Sequence, residues 1–210
     1  MVEQSSNAGG GSVWPIKTLE EISLVARRYD LAMHMDGARL LNATIASRID
    51  AYRYANVVDS VWLDLSKGLG CPVGAVLAGS DKFIKQAWRW KHRLGGAMRQ
   101  AGVVAAAGLY ALEHHIDRLA IDHTNAKIFA DLVGAIDGIT LLNPEVETNL
   151  VFFDVSQTKY TSEELSIALR EHGVWIGAPT STSMRAVTHL DVSQADIEEA
   201  VDLISKLLSR

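Results

Sequence analysis

The stretch LDLSKGLGCPVG, residues 63–74, places a single lysine, Lys67, in a glycine-rich turn between two apolar runs. The run before it, VVDSVWLDLS (57–66), and the run after it, VGAVLAGS (73–80), read as strands, valine-rich and bounded by turn residues. A turn needs glycine for its backbone angles, but it does not need an ammonium group. Upstream, TLEEISLVARRYD (18–30) reads as a helix, with Thr18 and Glu21 at capping-box spacing behind Pro15. LAMHMD (31–36) reads as a short buried strand that stops at Gly37. Strands alternating with helices predict an α/β fold with a parallel sheet.

Downstream, DKFIKQAWRWKHRL (81–94) predicts a helix with an aromatic face from Phe83, Trp88 and Trp90. Helical regions follow from about Met98 to Leu119 and from about Asp122 to Ile136. The rhythm then changes to strands at 139–142, 148–155, 174–178 and 184–192, with helices at 162–172 and 194–209. Thr161 and Glu164 have capping-box spacing at the first of these helices, and Ser193 is placed to cap the second. The expected organisation is a larger parallel-sheet portion, 1–118, followed by a small α+β domain, 119–210.

Composition narrows the function classes. A net charge of −5 over 210 residues gives no reason to expect nucleic acid or an anionic membrane as partner. One cysteine, Cys71, excludes an internal disulfide and a four-thiolate metal site, and no metal is expected. The start, MVEQSSNAGGGS, has no basic segment followed by an apolar one, and GVVAAAGLYAL (102–112) is too short to span a bilayer. A cytoplasmic protein is the expectation.

Functional groups in open α/β sheets gather beyond the carboxyl ends of the strands. Asp36 ends one predicted strand and Lys67 follows the end of the next. An acid and an amine there admit a salt bridge at the sheet rim. Gly68, Gly70 and Gly74 point the other way, because small residues let a flat ligand approach the backbone. The stretch lacks GxxxxGK[ST], and no G-x-G-x-x-G opens a helix after the first strand. A lysine acting as a nucleophile toward a carbonyl fits better. Pyridoxal 5′-phosphate (PLP) requires such a lysine and a carboxylate for its ring nitrogen.

Four blocks carry a family resemblance: HMDGARLLNA (34–43), SKGLGCPVGAVLAG (66–79), LGGAMRQAG (94–102) and RAVTHLDV (185–192). In this order they resemble the motif series of threonine aldolases, in the β-eliminating-lyase group of fold-type-I PLP-dependent enzymes. The opening EQSSNAGGGSVWP also resembles a segment of that family. The resemblance implies that Lys67 forms the Schiff base with PLP and that Asp36 pairs with the pyridine nitrogen. It implies Arg39 and Arg185 as ligands of the amino-acid carboxylate, with Arg185 entering from the second domain so that substrate lies between the two. Arginine suits that role, since its planar fork grips a carboxylate with two hydrogen bonds. Ser66 and Arg99 become candidates for cofactor binding, Arg99 also for a subunit contact. The implied reaction is retro-aldol cleavage of a β-hydroxy-α-amino acid, of the threonine or allo-threonine type, to glycine and an aldehyde. The implied assembly is a homo-oligomer, a tetramer or dimer.

Other residues admit two readings each. His34 shares a strand face with Asp36 and either orients it or is a satisfied core histidine. His189 is either a neighbour of the Arg185 site or a structural partner. Cys71 reads as a buried thiol, and Lys91, His92 and Arg93 as a solvated helix end. Asn7 and Gly9–Gly11 either approach the site or form a frayed start. Ala97 stands where the family has a third glycine. The family carries further elements before the segment that resembles residues 1–15, so a C-terminal fragment or truncated frame is expected, with apolar surface exposed. The alternatives are another PLP-dependent β-eliminating lyase and a non-catalytic paralogue that serves as an assembly partner.

Overall fold

The computed structural model describes residues 1–209. The chain forms two compact units, one of Met1–Ser5 and Val13–Leu119, the other of Ser6–Ser12 and the chain from Ala120 onward. The short loop 6–12 thus packs with the second unit although both its flanks belong to the first.

In the first unit, β1 (Val2–Glu3) leads to α1 (Ile16–Arg28), β2 (His34–Gly37), α2 (Leu40–Ser47) and α3 (Ala51–Ala55). Then come β3 (Ser60–Asp64), β4 (Ala75–Gly79), α4 (Asp81–Arg93) and α5 (Gly102–His114). The sheet order is β1-β2-β3-β4. β1, β2 and β3 run parallel, while β4 is antiparallel to β3. The sheet is parallel as expected through β3 and turns antiparallel at β4, because residues 65–74 form a turn too short for a helical crossover. Period-2 alternation then sorts the strands. Met35 and Val61 enter a core with Leu19, Leu40, Tyr54 and Val57, whereas Asp36 and Trp62 stay half-buried on the other face.

Several local expectations are corrected. α1 starts at Ile16 with Pro15 as N-cap and no side-chain cap, so Thr18 and Glu21 lie inside the helix rather than at its mouth. Proline before the first turn already presets the backbone and leaves Thr18 no capping task. The aromatic face of α4 does not form: Phe83 is half-buried, but Trp88 and Trp90 are 56 % and 57 % exposed. Trp88 and Trp90, two apart, point to different sides of the helix, and only Trp90, two turns on, lies on the side of Phe83. β4 is exposed along its whole length and α4 has no buried residue. The helical region expected from Met98 begins only at Gly102 and ends at His114. α2 and α3, absent from the sequence reading, follow the DGAR turn.

The second unit contains α6 (Leu119–Gly134), β5 (Thr140–Leu141), β6 (Leu150–Asp154), α7 (Ser162–Arg170), β7 (Ser183–Val187) and α8 (Gln194–Ser209). Its antiparallel sheet has the order β5-β6-β7. Phe129, Val133, Phe153, Leu165, Leu169, Met184 and Ile204 form the core between sheet and helices. The strand expected at 174–178 is reduced to a single bridge between Gly177 and Arg185. The capping box of α7 forms as its spacing indicates, with Thr161 accepting from the Glu164 amide and Glu164 accepting from the Thr161 amide at 2.8 Å. Ser193 and Asp196 reciprocate in the same way at α8. Thr161→Ala should therefore cost about 1 kcal/mol in urea unfolding, whereas Thr18→Ala, inside α1, should cost nothing, since alanine is the better helix former. Equal losses would count against this assignment of the caps.

His123, in α6, is 6 % exposed. Burial, aided by the nearby Lys127 cation, pushes its pKa down to about 4. An unfolded histidine titrates near pH 6.5, so the unfolded chain takes up a proton between about pH 6.5 and about pH 4 that the native chain refuses. Stability is full above that window and falls as pH drops through it. Urea midpoints across the window should fall for the wild type and fall less for His123→Gln. Parallel declines would reject His123 as the source.

Candidate active site

The turn carrying Lys67 is closed by its own backbone. Leu65 N donates to Gly74 O at 3.0 Å, Cys71 N to Leu65 O at 2.9 Å, and Gly70 N to Lys67 O at 2.8 Å. His115 Nδ1 lies 2.7 Å from Leu69 O and ties the turn to the end of α5. The glycines also meet demands of the turn and its packing. Gly70 and Gly74 have φ of 69° and 132°, and a Cβ on Gly68 would lie 2.8 Å from Leu119. Cys71 is buried, and burial, with the Asp64 charge, pushes its thiol pKa up, as suits a packing residue.

Asp36 and Lys67 come to one face of the sheet. Asp36 pairs in register with Trp62 across the parallel β2–β3 ladder, so the two side chains share a face. The Lys67 ammonium sits 5.3 Å from the centre of the Trp62 ring. It also donates to Asp64, the last residue of β3. Burial acts to raise the Asp64 pKa, but hydrogen bonds from Lys67 and Ser66 outweigh it and hold the carboxyl below its usual range. Ser66 gives Asp64 both its amide, at 2.7 Å, and its hydroxyl, at 2.6 Å, so it braces the turn. The Lys67 side chain remains 38 % exposed and within reach of a ligand. Asp36 accepts from the Ala38 amide at 3.0 Å, which fixes its carboxylate at the strand end.

Of the remaining candidates in this unit, Arg39 precedes α2 and is 9 % exposed. It lines one small cavity with Asp64, Gly68 and Asn42. His34 is half-buried with Nδ1 at 2.8 Å from Ser60 Oγ, its registered partner on β3. Arg99 is exposed in the segment between α4 and α5. Lys91, His92 and Arg93 form the exposed last turn of α4, with Lys91 over Trp88 at 4.8 Å.

Arg185 lies in the second unit, on β7. It is half-buried, its guanidinium 5.9 Å from the Phe152 ring centre, and its Nε is buried without a partner. Burial lowers its pKa, yet a guanidinium keeps its charge. His189 turns instead to Asp191, with Nδ1 at 3.5 Å from the carboxylate. Sequence reasoning missed Trp62 and Asp64. The D-x-x-K spacing of Asp64 and Lys67, and the alternation that puts Trp62 and Asp64 on one strand face, were the available signals.

The donor set fits PLP: an accessible amine beyond one strand and a fixed carboxylate at the end of its parallel neighbour, on one sheet face. Among the described residues no cluster of histidine, cysteine or carboxylates could hold a metal ion. No described helix is long and apolar enough to cross a membrane.

Residues 1–157 match the family model described as beta-eliminating lyase. The low-specificity L-threonine aldolase 1 of Arabidopsis thaliana is 36 % identical over 93 % of this chain and 55 % of its own length. The low specificity L-threonine aldolase of Escherichia coli K12 is 38 % identical over 92 % of this chain and 56 % of its own. The chain thus spans little more than half the length of these curated relatives. The solved threonine aldolase of Leishmania major superposes with a TM-score of 0.75 at 18 % identity, over 98 % of this chain and 60 % of that one.

Proposed function

The chain belongs to the beta-eliminating lyase family, and from that premise we propose that it serves a PLP-dependent aldehyde-lyase acting on β-hydroxy-α-amino acids of the threonine or allo-threonine type. The products are glycine and an aldehyde, released by retro-aldol cleavage. The observation that carries this reading is the placement of Lys67 and Asp36 on one sheet face beyond adjacent parallel strands. The names of these curated relatives support the substrate class.

Each group then has a task that follows from its chemistry. Lys67 would hold the cofactor through its amine, the one side chain here that condenses with a carbonyl. Asp36 is the carboxylate that would pair with the ring nitrogen and favour a proton there. When bound, PLP supplies an electron sink for charge developing at the amino-acid α-carbon. Ser66 and Asp64 brace the turn that presents Lys67. Arg185 receives the substrate carboxylate, and Arg39 is a second guanidinium suited to the same anion. Arg99 is proposed to contact the cofactor phosphate.

The test is to supply the purified protein with PLP and L-threonine or L-allo-threonine and to measure acetaldehyde and glycine together. Equal amounts of the two are expected. Ammonia and a keto acid without aldehyde would instead favour β-elimination. Borohydride reduction followed by peptide mapping should place the cofactor on Lys67.

A further inference from the structure

The loop Ser6–Ser12 is a built part of the second unit. It closes on itself through Ser6 N to Ser12 O (2.9 Å) and Gly11 N to Ser6 O (2.8 Å). Thr148 Oγ1, just before β6, donates to Gly11 O at 2.7 Å. Gly10 and Gly11 have φ of 74° and 82°. A Cβ on Gly10 would lie 2.3 Å from the Asn143 amide, and one on Gly11 would lie 2.4 Å from Thr148 Oγ1. The loop therefore seats against the second unit with no room for a side chain at either glycine.

Its second residue, Asn7, accepts a hydrogen bond from Arg185 Nη2 at 2.8 Å. The backbone of Arg185 is held as well: its N donates to Gly177 O at 2.8 Å, and Gly177 N donates to its O at 3.2 Å. No carboxylate among the described residues pairs with Arg185, and burial lowers the pKa of its guanidinium. A neutral amide oxygen orients a guanidinium while leaving its charge and its remaining N–H groups for an incoming anion. A carboxylate in the same place would occupy the fork and cancel the charge.

We infer that Asn7 is a positioning residue: it fixes the guanidinium of Arg185 for an amino-acid carboxylate, and its neutrality keeps that site open to an anion. This rests on the reading of Arg185 as the carboxylate ligand. It assigns to the glycine-rich opening of the chain a part in substrate binding through Arg185.

The test follows glycine binding by titrating the Arg185 guanidinium resonances of arginine-labelled protein, in wild type, Asn7→Ala and Asn7→Asp. Asn7→Ala should weaken glycine binding about tenfold, the size of one hydrogen bond to a charged group. The near-isosteric Asn7→Asp should weaken it at least about a hundredfold, because it neutralises the ligand site as well. In turnover the loss should appear in KM more than in kcat. A loop that was merely structural would show the opposite order, with Asn7→Asp closest to wild type. That order, equal affinities in all three proteins, or no glycine shift in wild type would each overturn the inference. The borohydride adduct at Lys67, mapped in the same samples, reports separately on the proposed function. Its absence in wild type would remove the lyase reading and leave the Arg185 titration to decide the role of Asn7.

Discussion

Lys67→Ala should eliminate the borohydride-stable PLP adduct and lower aldehyde release at least about 10³-fold, since no other side chain at this strand end offers a nucleophilic amine. The fold should survive. The Lys67 side chain is 38 % exposed, and Asp64 keeps its two hydrogen bonds from Ser66 when the ammonium is gone. Lys67→Arg sharpens the test. It retains a cation for Asp64 and for the Trp62 face, yet its guanidinium does not lose its proton and cannot condense with a carbonyl. Both variants should match wild type in urea midpoint within about 1 kcal/mol and should form no adduct. An adduct mapped to another lysine in either variant would overturn the assignment of Lys67.

Arg185→Ala should lower kcat/KM for the amino acid by about 10²–10³, because a desolvated carboxylate would lose its charged partner. The adduct at Lys67 should persist, which separates loss of substrate binding from loss of cofactor. Arg185→Lys should recover only part of the loss. An ammonium supplies the charge but not the planar fork, and it cannot donate to Asn7 and to a ligand in the same plane. A KM unchanged in Arg185→Ala would remove Arg185 from the substrate site. Arg185 is half-buried on a strand whose neighbours Met184 and Ala186 are core residues, so the comparison should be made on variants with matched unfolding midpoints.

Much of the α/β order was legible because its signals are local. The run VVDSVWLDLS alternates so that Val61 enters the core and Trp62 does not, and the strand lies where the alternation puts it. The Thr161–Glu164 box was legible because both hydrogen bonds join residues three apart. The Thr18–Glu21 box has the same spacing and failed, since proline set the start of α1 two residues earlier. VWIGA, at 174–178, has the composition of a strand but finds only one bridge, at Gly177. Its remaining residues have no ladder partner, and partners are not written in a segment's own sequence.

The candidate site divides along the same line. Lys67 and Asp36 could be named from their strand ends and from the family motifs. The ion pair with Asp64 was available in the D-x-x-K spacing, whereas the buried state of Arg39 depends on packing that no local spacing identifies. Asn7 is the clearest case. In sequence it sits 178 residues from Arg185, yet its amide oxygen meets that guanidinium.

By itself, the sequence determined the residue types that carry the chemistry, the helices with local caps and the strand faces, because hydrophobic periodicity and capping act within a few residues. Only the tertiary structure decided the seating of the Ser6–Ser12 loop on the second unit and the meeting of Asn7 with Arg185. Those outcomes follow from long-range pairing and packing, where the free energy of a contact depends on residues that no local spacing identifies.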